Sequence, residues 1–165
     1  MSDRSDFVAR FGGVFEHSPW IAERAFDNGR IVEPLAANSV HAAMCSEFRD
    51  ADKDKRMDVL RAHPDLAGKL AIAGDLTEES KSEQAGAGLD RLSADEHARF
   101  TELNTRYMQD FGFPFIIAVK GHDKDSILAA FEARVNNDPD TEFATACAEV
   151  EKIAGFRIHA LLAEG

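Results

Sequence analysis

Apolar residues along this chain recur mostly at spacings of three and four, the period of helices buried on one face. Phe7, Val8 and Phe11 precede the pair Gly12 and Gly13, which predicts a short helix followed by a turn. Ser18-Pro19-Trp20 has the form of an N-cap with proline at the first helical position, opening a helix through Ile21 and Ala25 that stops near Asn28-Gly29. Trp20 reads as a packing anchor. Between Asn38 and Arg61 the apolar positions Val40, Met44, Phe48, Val59 and Leu60 are interrupted by the charged run Arg49 to Arg56. Two helices, or one bent helix, fit this pattern, with the mixed charges as a solvated face.

Leu66, Leu70 and Ile72 continue a short apolar helix that Gly74 ends, and Thr77 with Glu78 and Glu79 reads as a cap with acidic residues in the first turn. In the next segment Gly86 and Gly88 stand where a good helix would carry alanine, which points to close backbone approach. Ser93 with Glu96 is a capping box, and the helix behind it lines up Phe100, Leu103, Tyr107 and Phe111 as a core stripe. Residues 112–121, Gly-Phe-Pro-Phe-Ile-Ile-Ala-Val-Lys-Gly, cannot form an ordinary amphipathic helix. They predict a buried extended segment whose backbone groups need partners in the protein or in a ligand. Asp123 or Asp125 caps a helix carrying Ile127, Phe131 and Val135, and Asn136-Asn137-Asp138-Pro139 breaks it. The last helix runs from about Thr141 to Ala163, with Phe143, Ala146, Val150, Ile153, Arg157 and Leu161 in phase. The expected architecture is an all-α, single-domain bundle over residues 1–165, of about eight or nine helices, with one buried extended segment near 112–121.

At 165 residues the chain can bury one sizeable core. Thirty acidic against nineteen basic residues leave a formal charge of −11, which argues against nucleic acid and against an anionic membrane surface. An anionic ligand must therefore find local positive charge. The polar N-terminus and the lack of a long apolar run point to a cytoplasmic protein. Cys45 and Cys147 form no C-x-x-C pair and read as buried thiols, and the six histidines make no H-x-H or H-E-x-x-H, so no metal site is expected. Phosphate loops, a dinucleotide fingerprint and a serine hydrolase elbow are absent as well.

Acid–base chemistry and anion recognition remain. In His63-Pro64-Asp65-Leu66-Ala67-Gly68-Lys69 the proline biases His63 away from the α region, so a helix ends there with an imidazole at its rim. Imidazole exchanges protons near neutral pH, though a structural or incidental histidine is the favoured reading of the residue alone. Glu83 is either the partner of Ser80 in a capping box or a carboxylate available to chemistry, and Gln84 either contacts an amide-rich ligand or is solvated surface. Arg157 falls on the inward stripe of the last helix. It either meets a carboxylate or an anionic ligand, or lays its stem along the core edge with its head in water. Lys69 is a further cation, or simply helix surface.

Taken together, His63 to Lys69, Ser80 to Leu89, Leu103-Asn104-x-x-Tyr107 and Phe111 to Gly121 closely resemble the 2-oxo-4-hydroxy-4-carboxy-5-ureidoimidazoline (OHCU) decarboxylase family, and Phe11 to Trp20 resembles that family's start. One departure is Ala87 before Gly88, which shifts the small-residue spacing. The resemblance implies an all-helical carboxy-lyase of uric acid degradation that converts a small anionic ureide to (S)-allantoin without a cofactor. It places the family's catalytic residues on His63, Glu83 and Arg157, and substrate-lining positions on Pro64, Ser80, Gln84, Phe115, Ile116, Ile117, Ala118 and Val119. It also suggests a homodimer. The alternatives differ in kind: a hydrolase of a related ureide, or a non-enzymatic helical adaptor exposing an apolar patch. A histidine phosphotransfer domain presents its histidine mid-helix, which His63-Pro64 opposes.

Overall fold

The computed structural model describes residues 3–63, 78–89 and 92–164, with the backbone alone for 78–80 and 164. Eight helices occur among the described residues: α1 (Arg4–Phe11), α2 (Trp20–Asp27), α3 (Ala37–Asp50), α4 (Lys53–Ala62), α5 (Glu78–Gly86), α6 (Ala94–Phe111), α7 (Lys124–Arg134) and α8 (Pro139–Glu164). No strand occurs among them, so the chain is all-α as its periodicity predicts. The chain divides into two compact units, Met1–Ala62 with Val150–Gly165, and His63–Glu149. No described helix is long and apolar enough to cross a membrane.

In the first unit α2 packs on both α1 and α3. Phe7, Phe11, Phe15, Ile21, Met44, Phe48 and Leu60 are buried, and the rings of Phe15 and Phe48 lie 5.4 Å apart. The charged run between Val40 and Leu60 separates two helices: α3 stops at Asp50, and the Asp52 carboxylate accepts the Lys55 N–H at 2.8 Å to open α4. The C-terminal part of α8 belongs here too. Its Gly155 faces the His41 ring so closely that a Cβ would stand 3.0 Å from His41 Cε1, while His41 Nε2 lies 2.7 Å from the Glu151 carbonyl oxygen.

In the second unit Tyr107 is fully buried at the centre of an aromatic cluster, with the Phe111, Phe113, Phe115 and Phe131 rings 4.5–5.9 Å away. The expected stripe of α6 is core at Phe100, Leu103 and Tyr107, whereas Phe111 at its end is only half-buried. The Ser93/Glu96 capping box forms, with both reciprocal hydrogen bonds present, and Asp123 rather than Asp125 caps α7.

Several local expectations are corrected. Ser18 does not cap α2 through its side chain: the helix begins at Trp20 with Pro19 in the N-cap position, and the Ser18 hydroxyl donates to the Glu16 carbonyl at 2.9 Å. Trp20 is half-buried, with the Arg24 guanidinium 4.7 Å and the Lys55 ammonium 5.1 Å from its ring, so it carries two cations rather than anchoring a core. Position 80 is already helical, which removes the capping-box reading of Ser80 and Glu83, since an N-cap must lie outside the helix. Among the described residues nothing approaches a Cβ built on Gly86 or Gly88. Gly88 instead has φ +82°, and the pair Leu89 N–H to Gln84 O (2.9 Å) and Gly88 N–H to Ala85 O (3.0 Å) is a Schellman ending of α5. Asn136 to Pro139 does separate two helices, α7 ending at Arg134, but the last helix opens at Pro139 rather than at about Thr141, with Asp138 capping it by accepting Thr141 N–H at 2.9 Å. Leu66, Lys69, Leu70, Ile72, Gly74 and Thr77 lie outside the described residues, as does Pro64.

Candidate active site

His63 follows directly on α4, whose Val59 and Leu60 are fully buried, and is itself 8% exposed. The helix ends at Ala62, just before His63, whose place ahead of a proline disfavours the α region through the steric conflict with Pro Cδ. The imidazole thus sits at a helix end, held inside the protein.

Glu83 and Gln84 are neighbours on α5, Glu83 half-buried and Gln84 6% exposed. Positions 80, 83 and 84 share one helical face, because three and four residues bring the helix back to the same side. The Schellman ending stops the helix just beyond this face, and Leu89 behind it is buried.

Phe115 to Val119 form the buried, non-helical segment the sequence predicts, with every residue 9% exposed or less. It begins beyond Gly112, which ends α6 in the left-handed region at φ 78°. Its backbone is held by charged side chains. Arg134, in the last turn of α7, donates through Nη1 to the Ile116 carbonyl at 2.7 Å, and Glu149 on α8 accepts the Ala118 N–H at 3.1 Å. The Arg134 guanidinium lies 4.4 Å from the Phe115 ring centroid, and that ring stacks on Phe131 at 3.9 Å and 8°. Arg134 is fixed in turn by the fully buried Glu142, 3.0 Å from Nη2 and 3.1 Å from Nε. The same carboxylate accepts Asn137 Nδ2 at 2.9 Å and the Tyr107 hydroxyl at 2.5 Å. Burial, then the hydrogen bond to Glu142, then its charge hold the Tyr107 phenol protonated, far above its ordinary range.

Arg157, at 6% exposure, meets a carboxylate: Nη1 donates to Glu16 Oε2 at 2.8 Å, with the Val14 carbonyl at 3.4 Å. The reading in which its head reaches water is therefore overturned. Glu16 is 2% exposed, so a buried pair forms in the first unit, whereas His63, Glu83, Gln84 and residues 115–119 belong to the second. Cys45 and Cys147 are both buried, as the sequence predicts. No cluster of three or more metal-ligating side chains occurs among the described residues.

Sequence reasoning missed Glu16, Arg134, Glu142 and Glu149. A signal existed for two of them. Glu142 and Glu149 stand in phase with Ala146, Ile153 and Arg157, so three charged residues occupy the inward stripe of α8 where one was noticed.

Comparison with known proteins agrees across the chain. The OHCU decarboxylase family model matches residues 1–159. A 2-oxo-4-hydroxy-4-carboxy-5-ureidoimidazoline decarboxylase of Haloferax volcanii is 43% identical over 157 residues, 94% of this chain and 89% of that protein. The uric acid degradation bifunctional protein of Bacillus subtilis is 37% identical over 98% of this chain, which spans 31% of its length. Among solved structures, an (S)-allantoin synthase superposes with a TM-score of 0.77 at 30% identity, covering 97% of this chain and 51% of that one. On the match that runs from residue 1 to residue 159, this chain belongs to the OHCU decarboxylase family.

Proposed function

We propose that this protein decarboxylates 2-oxo-4-hydroxy-4-carboxy-5-ureidoimidazoline to (S)-allantoin in uric acid degradation. The observation that carries the reading is the family match over residues 1–159, inside which all the quoted motifs fall. The chemistry asks for no cofactor, because the substrate carries its own electron sink. Its carboxylate sits on a ring carbon that bears a hydroxyl and adjoins an imine. As the carbon–carboxylate bond breaks and carbon dioxide leaves, the electron pair flows toward the imine nitrogen. The hydroxyl-bearing carbon then becomes the carbonyl of allantoin, and the ureido-bearing carbon takes one proton on one face.

Under this reading His63 exchanges the proton at the hydroxyl and carboxylate region, and Glu83 orients His63 or the hydroxyl. Arg157 stabilises the anionic or carbonyl oxygens, supplying local positive charge in a chain of net −11. Pro64, Ser80, Gln84 and the backbone of Phe115 to Val119 line the substrate. The apolar segment keeps the departing carboxylate poorly solvated, where it is least stable relative to neutral carbon dioxide. The enzyme works as a cytoplasmic homodimer.

The test generates the substrate in situ by oxidation of urate and follows optical activity with and without the protein. Rapid formation of (S)-allantoin with release of carbon dioxide is expected, reduced at least a hundredfold in His63→Ala and Glu83→Ala, at the lower end of what acid–base groups contribute, about 10²–10⁴-fold. Racemic allantoin at the spontaneous rate would remove the reading, and optical activity without carbon dioxide would turn it toward a ureide hydrolase. Unchanged rates in both variants would refute the residue roles.

A further inference from the structure

We infer that Arg134 and Glu149 are positioning residues for the substrate, holding the backbone of the 115–119 segment by its Ile116 carbonyl and its Ala118 amide. The inference rests on the proposed decarboxylase reading, in which that segment lines the substrate, and it concerns residues that never touch the substrate themselves.

The physical argument starts from cost. A buried apolar run satisfies its own backbone groups most cheaply as a helix, whereas a non-helical one must find outside partners. Here two of those partners are ionisable side chains from different helices, Arg134 from the end of α7 and Glu149 from α8. Ionised groups are expensive to desolvate, and buried pairs often stabilise less than apolar packing of equal volume. Stability alone does not favour this arrangement. It does give position: a guanidinium fork has fixed geometry, and this one is locked by Glu142 on one side and stacked on Phe115 on its face. Glu142 is locked in turn by Tyr107 and Asn137. A backbone pinned at residues 116 and 118 keeps its intervening groups within the few tenths of an ångström that binding through backbone atoms demands.

The test measures kcat and KM for the substrate generated in situ, in the wild type and in Arg134→Lys, Glu149→Ala and Glu149→Gln, together with folding by circular dichroism. Wild-type protein that fails to exceed the spontaneous rate refutes the decarboxylase reading itself, whatever the variants do. With active wild type, Arg134→Lys keeps a charge near Glu142 but loses the fork that also reaches Ile116. It and Glu149→Ala should each raise KM about tenfold while kcat stays within about threefold. Glu149→Gln retains an acceptor for Ala118 and should bring KM back to within about threefold of wild type. Binding of (S)-allantoin should weaken in step with KM. Folded Arg134→Lys and Glu149→Ala proteins with unchanged KM, or losses confined to melting temperature and kcat, would overturn the inference. If Glu149→Ala does not fold, Arg134→Lys decides, and failure of both to fold assigns the pair to structure alone.

Discussion

Glu16 and Arg157 offer the sharpest energetic test, because each is buried and they meet at 2.8 Å. Glu16→Ala leaves the guanidinium without that counter-charge in a place where it is 6% exposed. Removing one partner of a buried ion pair costs about 3–5 kcal/mol, since the surviving charge has been taken from water and is poorly compensated. For a chain of this size each kcal/mol moves the melting temperature by about 2–4 °C, so the expected loss is about 6–20 °C. Replacing both residues, Glu16→Ala with Arg157→Met, removes the poorly compensated charge and substitutes an apolar chain of similar length. The double variant should therefore be more stable than Glu16→Ala, with a coupling of about 2 kcal/mol or more in the double-mutant cycle. Thermal and urea unfolding of the four proteins measure it. A melting temperature of Glu16→Ala within 2 °C of wild type, or a double variant no more stable than the single one, would refute the reasoning. That the double variant also loses decarboxylation is expected from the role proposed for Arg157, and it leaves the stability result intact.

Burial, with the nearby Glu151 carboxylate adding to it, pushes the Cys45 thiol up to about 12 from near 9. The folded protein then keeps a proton that the unfolded chain loses, so stability is unaffected below about pH 9 and falls as pH rises toward about 12, as urea titrations across that window will register. At pH 8 alkylation of Cys45 by iodoacetamide should be slower than that of an exposed thiol by about a thousandfold or more, and should reach the exposed rate once the protein is unfolded. Ser93→Ala removes the hydroxyl that accepts Glu96 N–H, at 3.2 Å, and should cost about 1 kcal/mol, or about 2–4 °C in a melt. Gly155→Ala gains about 1 kcal/mol of helix propensity but drives a methyl into the His41 ring, where overpacking costs about 1–3 kcal/mol. It should lower the melting temperature in the wild-type background and raise it in His41→Ala. A rise in both backgrounds would show that the His41 ring yields freely.

The helices were legible because their signals are local. Ser93 and Glu96 stand three residues apart and make the cap their spacing predicts, and the stripe Phe100, Leu103, Tyr107 is the core face of α6. The 112–121 run was legible for the opposite reason, since its glycines and unbroken apolar residues fit no amphipathic period. What holds that run was not. Arg134 and Ile116 are 18 residues apart and Glu149 lies 31 beyond Ala118, so their pairing depends on how α7 and α8 fold back. The choice for Arg157 between a carboxylate and water was open for the same reason, its partner Glu16 being 141 residues away. Where local rules failed, they misplaced the start of a helix. Ser18 stood one residue ahead of the N-cap position, which Pro19 holds, and position 80 lay inside a helix that had already begun at Glu78.

The 26-residue helix α8 has a consequence for how this protein can vary. Glu142, Ala146, Glu149, Ile153 and Arg157 share one stripe, and each residue of an α-helix turns the next by about 100°. Removing or adding one residue between Glu142 and Arg157 would therefore rotate everything beyond the change by more than a quarter turn, carrying either the carboxylates or the guanidinium off the inward side. Any single exposed side chain in that stretch is free to change, but the count of residues is not. Homologous sequences should accordingly show substitutions throughout this stretch and no gaps, with length differences gathered in the turns between helices, where an added residue leaves the phase of α8 untouched.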